Sequence, residues 1–424
     1  MRLAPFTRAL LVFAGLNLAL SLALGDLHSL RFLGFTRSYI GNDLASLYDA
    51  LRVAEPFHAP PLYERVFFGE RIKFQYPSTS LLFFAPFRDL PWRWFRLLFE
   101  SIVNRIWLLL SIGVLFALFE RLVVSADHPP RERWLLRIAF LVLLFSFYPF
   151  FKAFTLGQVQ VWINCLLILS IGAWLRGSER FAGALLGVAT LIKPNYGLLL
   201  AWGLLRRRLG FVAALAIVAA AGMLAAAAVF GVDNLLGYRE VIAFMSRHGE
   251  GYYPNQSVNG LMNRLLVNGN NLDWVDHGFP PFNGLVYGVT VAGGLLLLGT
   301  ALFAAGRRSP ARGTVEDLSI MLLSVTLASP IAWEHHYGFV IALYLVATHR
   351  ILGLADPWRT RLLALTAASF LLTAHFVHAV DVWFAPTRLN VLQSYLFAGA
   401  LALLLVLHVA LRRLPPPAAA APAG

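Results

Sequence analysis

Five short polar clusters interrupt an otherwise apolar chain: Asn42-Asp43, Gln158 with Gln160, Lys193, Asn255-Gln256-Ser257 with Asn259, and Glu334-His335-His336. A carboxylate within hydrogen-bond reach can take a proton from a reacting hydroxyl. Lysine and histidine can hold an anion whose charge grows during a reaction. Equally informative is where acids are missing. Of 22 Asp and Glu, none lies in the middle of the apolar runs 135–175, 181–230, 285–305 or 339–347. Proton-coupled pumps and transporters need ionisable relays at membrane depth, and among the polar clusters only Lys193 is a candidate for one. The clusters fall at helix ends expected to face outward, which points to a site at the outer membrane surface, open to lipid on one side and to water on the other.

Several chemistries lack their motifs. There is no Gly-x-Ser-x-Gly nucleophile elbow, and Glu334-His335-His336 does not match His-Glu-x-x-His, whose two His need helical spacing to share a metal. No Gly-rich phosphate loop of the nucleotide-binding type is present, so an enzyme here is expected to use a lipid-linked donor rather than a nucleotide-bound one. The lone Cys165 excludes an intrachain disulfide and any multi-Cys metal site. No metal or other cofactor is expected.

The elements that must position these clusters are membrane helices. Hydrophobic residues make up 58% of the 424 and charged residues 13%, about half the charged share of a soluble domain. Apolar runs near the length of a bilayer span recur along the chain, among them 10–24, 106–119, 211–230, 285–305 and 391–411. They lack the alternation of barrel strands, so the fold class is all-α, a polytopic integral membrane protein. The net charge of +13 is carried by short Arg clusters between these runs, such as Arg206-Arg207-Arg208 and Arg412-Arg413. This is the positive-inside pattern rather than a nucleic-acid surface, and no nucleic-acid partner is expected. The first run, after Arg2 and Arg8, has no small-residue cleavage site behind Leu24 and reads as a retained span.

Taking the Arg clusters as cytoplasmic gives about twelve membrane helices with both termini inside, in one module over 1–414. Two polar stretches, 25–92 and 231–283, fall outside, and a Pro/Ala-rich tail, 415–424, is expected to be disordered. The count closes if 181–205 forms two half-depth helices broken at Lys193-Pro194; the rival is one helix there and a span at 80–90. Within the first polar stretch Leu44, Leu47, Tyr48, Leu51 and Ala54 share a helical face, with Asp49 and Arg52 opposite. That predicts a surface helix whose Asp49 points away from the site.

The polar clusters sit in a wider set of motifs. Ile40-Gly41-Asn42-Asp43-Leu44 with Tyr48 and Ala50, Leu62-Tyr63, Phe74-Gln75-Tyr76-Pro77, and Leu156-Gly157-Gln158 are followed in order by Ala182-Gly183-Ala184-Leu185-Leu186-Gly187 with Ile192-Lys193-Pro194. Asn255-Gln256-Ser257 and Ser329-Pro330-Ile331-Ala332-Trp333-Glu334-His335-His336 complete the set. Together they resemble glycosyltransferase family 87, a branch of the polytopic GT-C superfamily that includes mycobacterial polyprenol-phosphate-mannose-dependent α-1,2-mannosyltransferases. The one departure is Ser78 after Tyr76-Pro77, where relatives often have a second proline.

The resemblance implies transfer of a sugar, mannose first among candidates, from a polyprenyl phosphate to a hydroxyl of a glycolipid or glycan acceptor. Transfer would invert the anomeric carbon, at the extracytoplasmic face of the plasma or inner membrane. Asp43 is then the general base, and Lys193, His335, His336 and Gln158 hold the donor phosphate. Asn42, Tyr76, Asn255, Gln256, Ser257 and Trp333 contact substrate, and Glu334 is the next candidate base. Each role has a plainer rival. Asp43 could cap the helix that follows it, Lys193 could snorkel to the interface, the histidines could be interfacial hydrogen-bonding groups, and Asn255-Gln256-Ser257 could be a solvated turn. From another functional class, a transporter or flippase for a lipid-linked saccharide would share the outer cavity and basic rim. A non-catalytic scaffold would not explain why polar residues collect at one set of helix ends.

Overall fold

The computed structural model describes residues 3–34, 44–55, 60–303 and 312–413. Asn42, Asp43 and the tail 415–424 lie outside the described residues. Within them the chain is helical throughout, and the one β-type pairing is an isolated antiparallel bridge between Asn255 and Trp333. Five helices are long and apolar enough to cross a membrane: α1 (Pro5–Leu24), α3 (Trp92–Leu122), α9 (Leu209–Phe230), α12 (Gly284–Phe303) and α17 (Asn390–Arg412). Two bent pairs raise this to seven if each is one span: α4 (Pro130–Phe145) with α5 (Tyr148–Thr155), and α15 (Trp358–Ala374) with α16 (His378–Phe384). The expected total of about twelve therefore has to include shorter apolar helices such as α6 (Gln160–Leu175), α7 (Glu179–Ile192), α13 (Val315–Leu327) and α14 (Val340–Leu352). Of these, α6, α13 and α14 are almost wholly buried. The long helices show the reverse pattern, with Leu224 and Phe303 each 73% exposed. Water would penalise such surface and hydrocarbon would not. The protein is a membrane protein.

The segment 179–205 is broken where the sequence places the break. Helix α7 ends at Ile192, Lys193 is extended (φ −132°, ψ 100°), and Pro194 opens a short 3₁₀ turn before α8 (Leu199–Leu205). Proline at 194 removes an amide donor and disfavours a helical Lys193, so the lysine is released from the helix. The Gly183-x-x-x-Gly187 pair on α7 has a packing cause. A Cβ on Gly183 would lie 2.3 Å from the carbonyl oxygen of Phe211, so only glycine lets α7 and α9 approach this closely.

Helix α2 (Ala45–Val53) buries Leu47, Tyr48, Ala50 and Leu51, as its apolar stripe requires. It packs on the body of the protein: Tyr48 lies against Trp92 and Phe95, and its hydroxyl donates to the carbonyl of Leu90 at 2.8 Å. The apolar piece 78–87 forms two 3₁₀ turns with Leu81 and Phe84 fully buried, not a membrane-length helix.

Candidate active site

Eight separate segments line a cavity of about 1080 Å³. Its wall is formed by the start of α2, residues 72–76, the end of α5 with Gln158, and the break 193–198. Helix α10 (Tyr238–His248) with the loops at 252–254 and 274–277 follows, and residues 326–336 close it. Gln158, Lys193, His335, His336, Tyr76 and Trp333, named from sequence, all line this one space. Asn255, Gln256 and Ser257 do not.

At one corner the lysine freed by the helix break meets the histidine pair. Lys193 Nζ donates to Gln160 Oε1 at 2.7 Å and lies 2.6 Å from His336 Nε2. Gln160 Nε2 donates to Asn164 Oδ1 at 3.0 Å, and Asn164 Nδ2 in turn to the carbonyl of His335 at 3.2 Å. His335 Nε2 lies 2.8 Å from Gln158 Oε1 and donates to it, since an amide oxygen can only accept. The amide of Trp333 donates to His336 Nδ1 at 3.1 Å. That nitrogen must carry a lone pair, so the proton of the neutral ring sits on Nε2, facing Lys193. Two donors cannot share a 2.6 Å contact, and the lysine must present its own lone pair. In this arrangement Lys193 is a neutral amine.

Burial acts in the same direction, holding Lys193 well below the usual lysine range. Burial holds His335 and His336 well below the usual histidine range, and the nearby Lys152 charge acts in the same direction on His335. Glu334 is pushed up by burial, opposed by the charge of Lys152 and by a hydrogen bond donated from Tyr148 Oη. These residues occupy a break and a turn between helices, not the long spans.

The segment bearing the histidines is held by the second polar stretch. The amide of Gln256 donates to the carbonyl of Ala332 at 2.7 Å, and that of Glu334 to the carbonyl of Pro254 at 2.9 Å. Asn255 accepts from the Ala332 amide and donates to the carbonyls of Glu250 and Pro330. Gln256 donates to the carbonyls of Tyr253 and Gln393 and accepts from the Phe397 amide. Ser257 donates to the carbonyl of Pro330 and accepts from the Gly260 amide, capping α11 (Val258–Leu265). All three side chains are buried with their hydrogen-bonding groups engaged, and they stand behind the cavity wall. The fully buried Arg264 adds hydrogen bonds to the carbonyls of Tyr252, Tyr253 and Asn255 and to Ser394 Oγ.

Two cavity residues depart from the sequence expectation. Asp49 was expected to point away from the site, yet it lines the cavity, with burial and the nearby Glu70 charge pushing its carboxyl up. The apolar face of α2 turns to the protein body, and of its polar face Asp49 lines the cavity while Arg52 does not. Lys152, on α5, brings a further lysine to the same space; a lysine in an otherwise apolar helix four residues before Leu156-Gly157-Gln158 was the available signal.

The family model that matches is Glycosyltransferase family 87, over residues 74–330. Among curated proteins, the chain is 26% identical over 318 residues to a polyprenol-phosphate-mannose-dependent alpha-(1-2)-phosphatidylinositol mannoside mannosyltransferase of Mycolicibacterium smegmatis, a match covering 72% of this chain and 68% of that one. From the same organism, a polyprenol-phosphate-mannose-dependent alpha-(1-2)-phosphatidylinositol pentamannoside mannosyltransferase is 27% identical over 284 residues, 66% of this chain and 62% of that protein. A phosphatidylinositol mannoside mannosyltransferase of Mycobacterium tuberculosis, of the same printed description as the first, is 23% identical over 336 residues, 74% and 67% of the two chains. No solved structure matches. With more than half of the chain under the family model, the chain belongs to glycosyltransferase family 87 and is a glycosyltransferase.

Proposed function

We propose that the protein moves mannose from a polyprenyl phosphate to a hydroxyl of a glycolipid or glycan acceptor, at the extracytoplasmic face of the plasma or inner membrane and with inversion. The observation that carries this reading is the corner formed by Lys193, His336, His335 and Gln158 in a cavity walled by membrane helices and polar loops. The donor named for the relatives, polyprenol-phosphate-mannose, supplies an anion for that corner.

In a single displacement the acceptor oxygen attacks C1 of the sugar, and the bond from C1 to the phosphate oxygen breaks with its electron pair going to phosphate. The acceptor's proton passes to a carboxylate. The phosphodiester becomes a monoester with one more negative charge, so no general acid is needed and donors already aimed at the phosphate lower the barrier. Lys193, supplied with a proton, meets that charge with His336 Nε2–H beside it; Lys152 adds a second cation. Asp43 is the base on this reading, because Ala45 and Ser46, two and three residues further along the chain, line the cavity. The Arg clusters at the opposite helix ends support the extracytoplasmic assignment.

A donor comparison tests the reading. Purified protein with a glycolipid extract should pass radiolabel to lipid from polyprenyl-phosphate mannose and not from a nucleotide-linked mannose. Label transferred from the nucleotide sugar alone would overturn it.

A further inference from the structure

The corner of the cavity beyond Trp333 has a different chemistry from the phosphate corner. Trp274 and Trp333 meet edge to face with ring centres 5.6 Å apart, and Tyr252 stands 5.9 Å from Trp274 and 6.4 Å from Trp333. Lys73 Nζ lies 3.8 Å from the Trp274 ring centre, covering one face of the indole. Its charge is matched by Glu250 at 2.8 Å, with both side chains buried. Trp274 is nevertheless 41% exposed and lines the cavity, so part of its indole is open to that space. The loop that carries it is pinned: Asn268 Nδ2 donates to Asn263 Oδ1 at 2.8 Å and to the carbonyl of Pro281 at 3.0 Å, and the Tyr253 amide donates to the carbonyl of Asn271 at 3.0 Å. Asp276, two residues on, also lines the cavity and acts electrostatically on Lys73.

We infer that Trp274, Tyr252 and Asp276 form the subsite for the acceptor's terminal hexopyranoside. A pyranoside ring has a C–H face that stacks on an indole and hydroxyls that donate to a carboxylate. A phosphate is disfavoured here, because Lys73 is already paired with Glu250 and a second carboxyl group, Asp276, lines the same corner. Trp333 belongs to this corner, and His335 and His336, two and three residues on, belong to the phosphate corner. A sugar stacked on Trp274 therefore lies next to the point where the donor sugar leaves its phosphate. The inference rests on the sugar-transfer reading above and adds the residues that select the acceptor.

The test has two arms, both in a non-glycosidic detergent, with thermal unfolding to confirm that each variant is folded. In the first, methyl α-mannopyranoside is titrated while tryptophan fluorescence is followed, which needs no turnover. Saturable quenching is expected in the wild type and its loss in Trp274→Ala. In the second, Trp274→Ala should raise KM for a mannoside acceptor roughly five- to tenfold, the size of one lost stacking contact. Trp274→Tyr should recover most of the loss, with kcat and donor KM unchanged. A rise in donor KM in place of acceptor KM, or quenching and kinetics unchanged in folded Trp274→Ala, would overturn the inference. If no variant transfers sugar but Trp274-dependent quenching remains, the sugar subsite stands and the transferase reading fails.

Discussion

Between His336 Nε2 and Lys193 Nζ there is room for a single proton, and with the Nδ1 side taken by the Trp333 amide that proton belongs to the imidazole. Binding a phosphodiester makes an ammonium favourable at Lys193, so binding should take up a proton. The empty-site pKa of this lysine is depressed by burial and an anion raises it. Affinity should therefore be flat below the depressed value and fall by about tenfold per pH unit between the empty and bound values. The diester itself does not titrate there. Donor binding measured against pH should show this slope in the wild type and a weaker, flatter profile in Lys193→Met; identical slopes would contradict a neutral lysine.

The carboxylates give a second residue-scale test. Asp43→Asn should cut turnover by about 10² to 10⁴-fold with donor binding kept, while Asp49→Asn, on the cavity wall, should stay within roughly tenfold of wild type. Asparagine caps a helix about as well as aspartate does, so a merely capping Asp43 would leave turnover intact. The reverse ranking would transfer the base role to Asp49. That Gln158, Lys193 and the histidine pair would come together was legible because polar groups beside apolar runs need a reason to be there, and Tyr76 and Trp333, which line the same cavity, were legible from the family resemblance. Lys152 and Trp274 were not, because one lysine or one tryptophan near a helix end reads equally well as an interfacial anchor.

At the scale of elements, the break after Ile192 and the close approach of α7 to α9 place Lys193. The break was readable, since Lys193-Pro194 carries its own local cause. The reason for Gly183-x-x-x-Gly187 was not, because it depends on which helix lies opposite. Gly183→Ala would drive a methyl group into the Phe211 carbonyl, and a rigid backbone cannot rotate away. A loss of about 1–3 kcal/mol is expected, read as a lower unfolding midpoint in detergent. Gly15→Ala in α1, where a Cβ would meet nothing within 4 Å, should unfold with the wild type. Equal midpoints for both variants would mean that α7 and α9 are not packed this tightly. The orientation of α2 was misread for a related reason: amphipathicity tells which face is apolar, but whether the polar face meets bulk water or an internal cavity depends on the rest of the fold.

For the whole molecule, the Arg clusters from which an orientation is expected also serve as ties. Arg206 makes a bidentate pair with Asp317, both contacts 2.8 Å and both side chains buried, and donates to the carbonyl of Ala301 at 3.1 Å. Arg208 pairs with Glu179 at 2.7 Å. These bonds join helix ends on the side opposite the expected site, leaving the other side to open into the cavity. The most direct test of the account is transfer in proteoliposomes of known orientation, carrying radiolabelled polyprenyl-phosphate mannose and given a membrane-impermeant mannoside from outside. The account predicts labelled product when the extracytoplasmic face is outward, and product from inverted vesicles only after permeabilisation. No product in either orientation, or product from intact inverted vesicles alone, would contradict it.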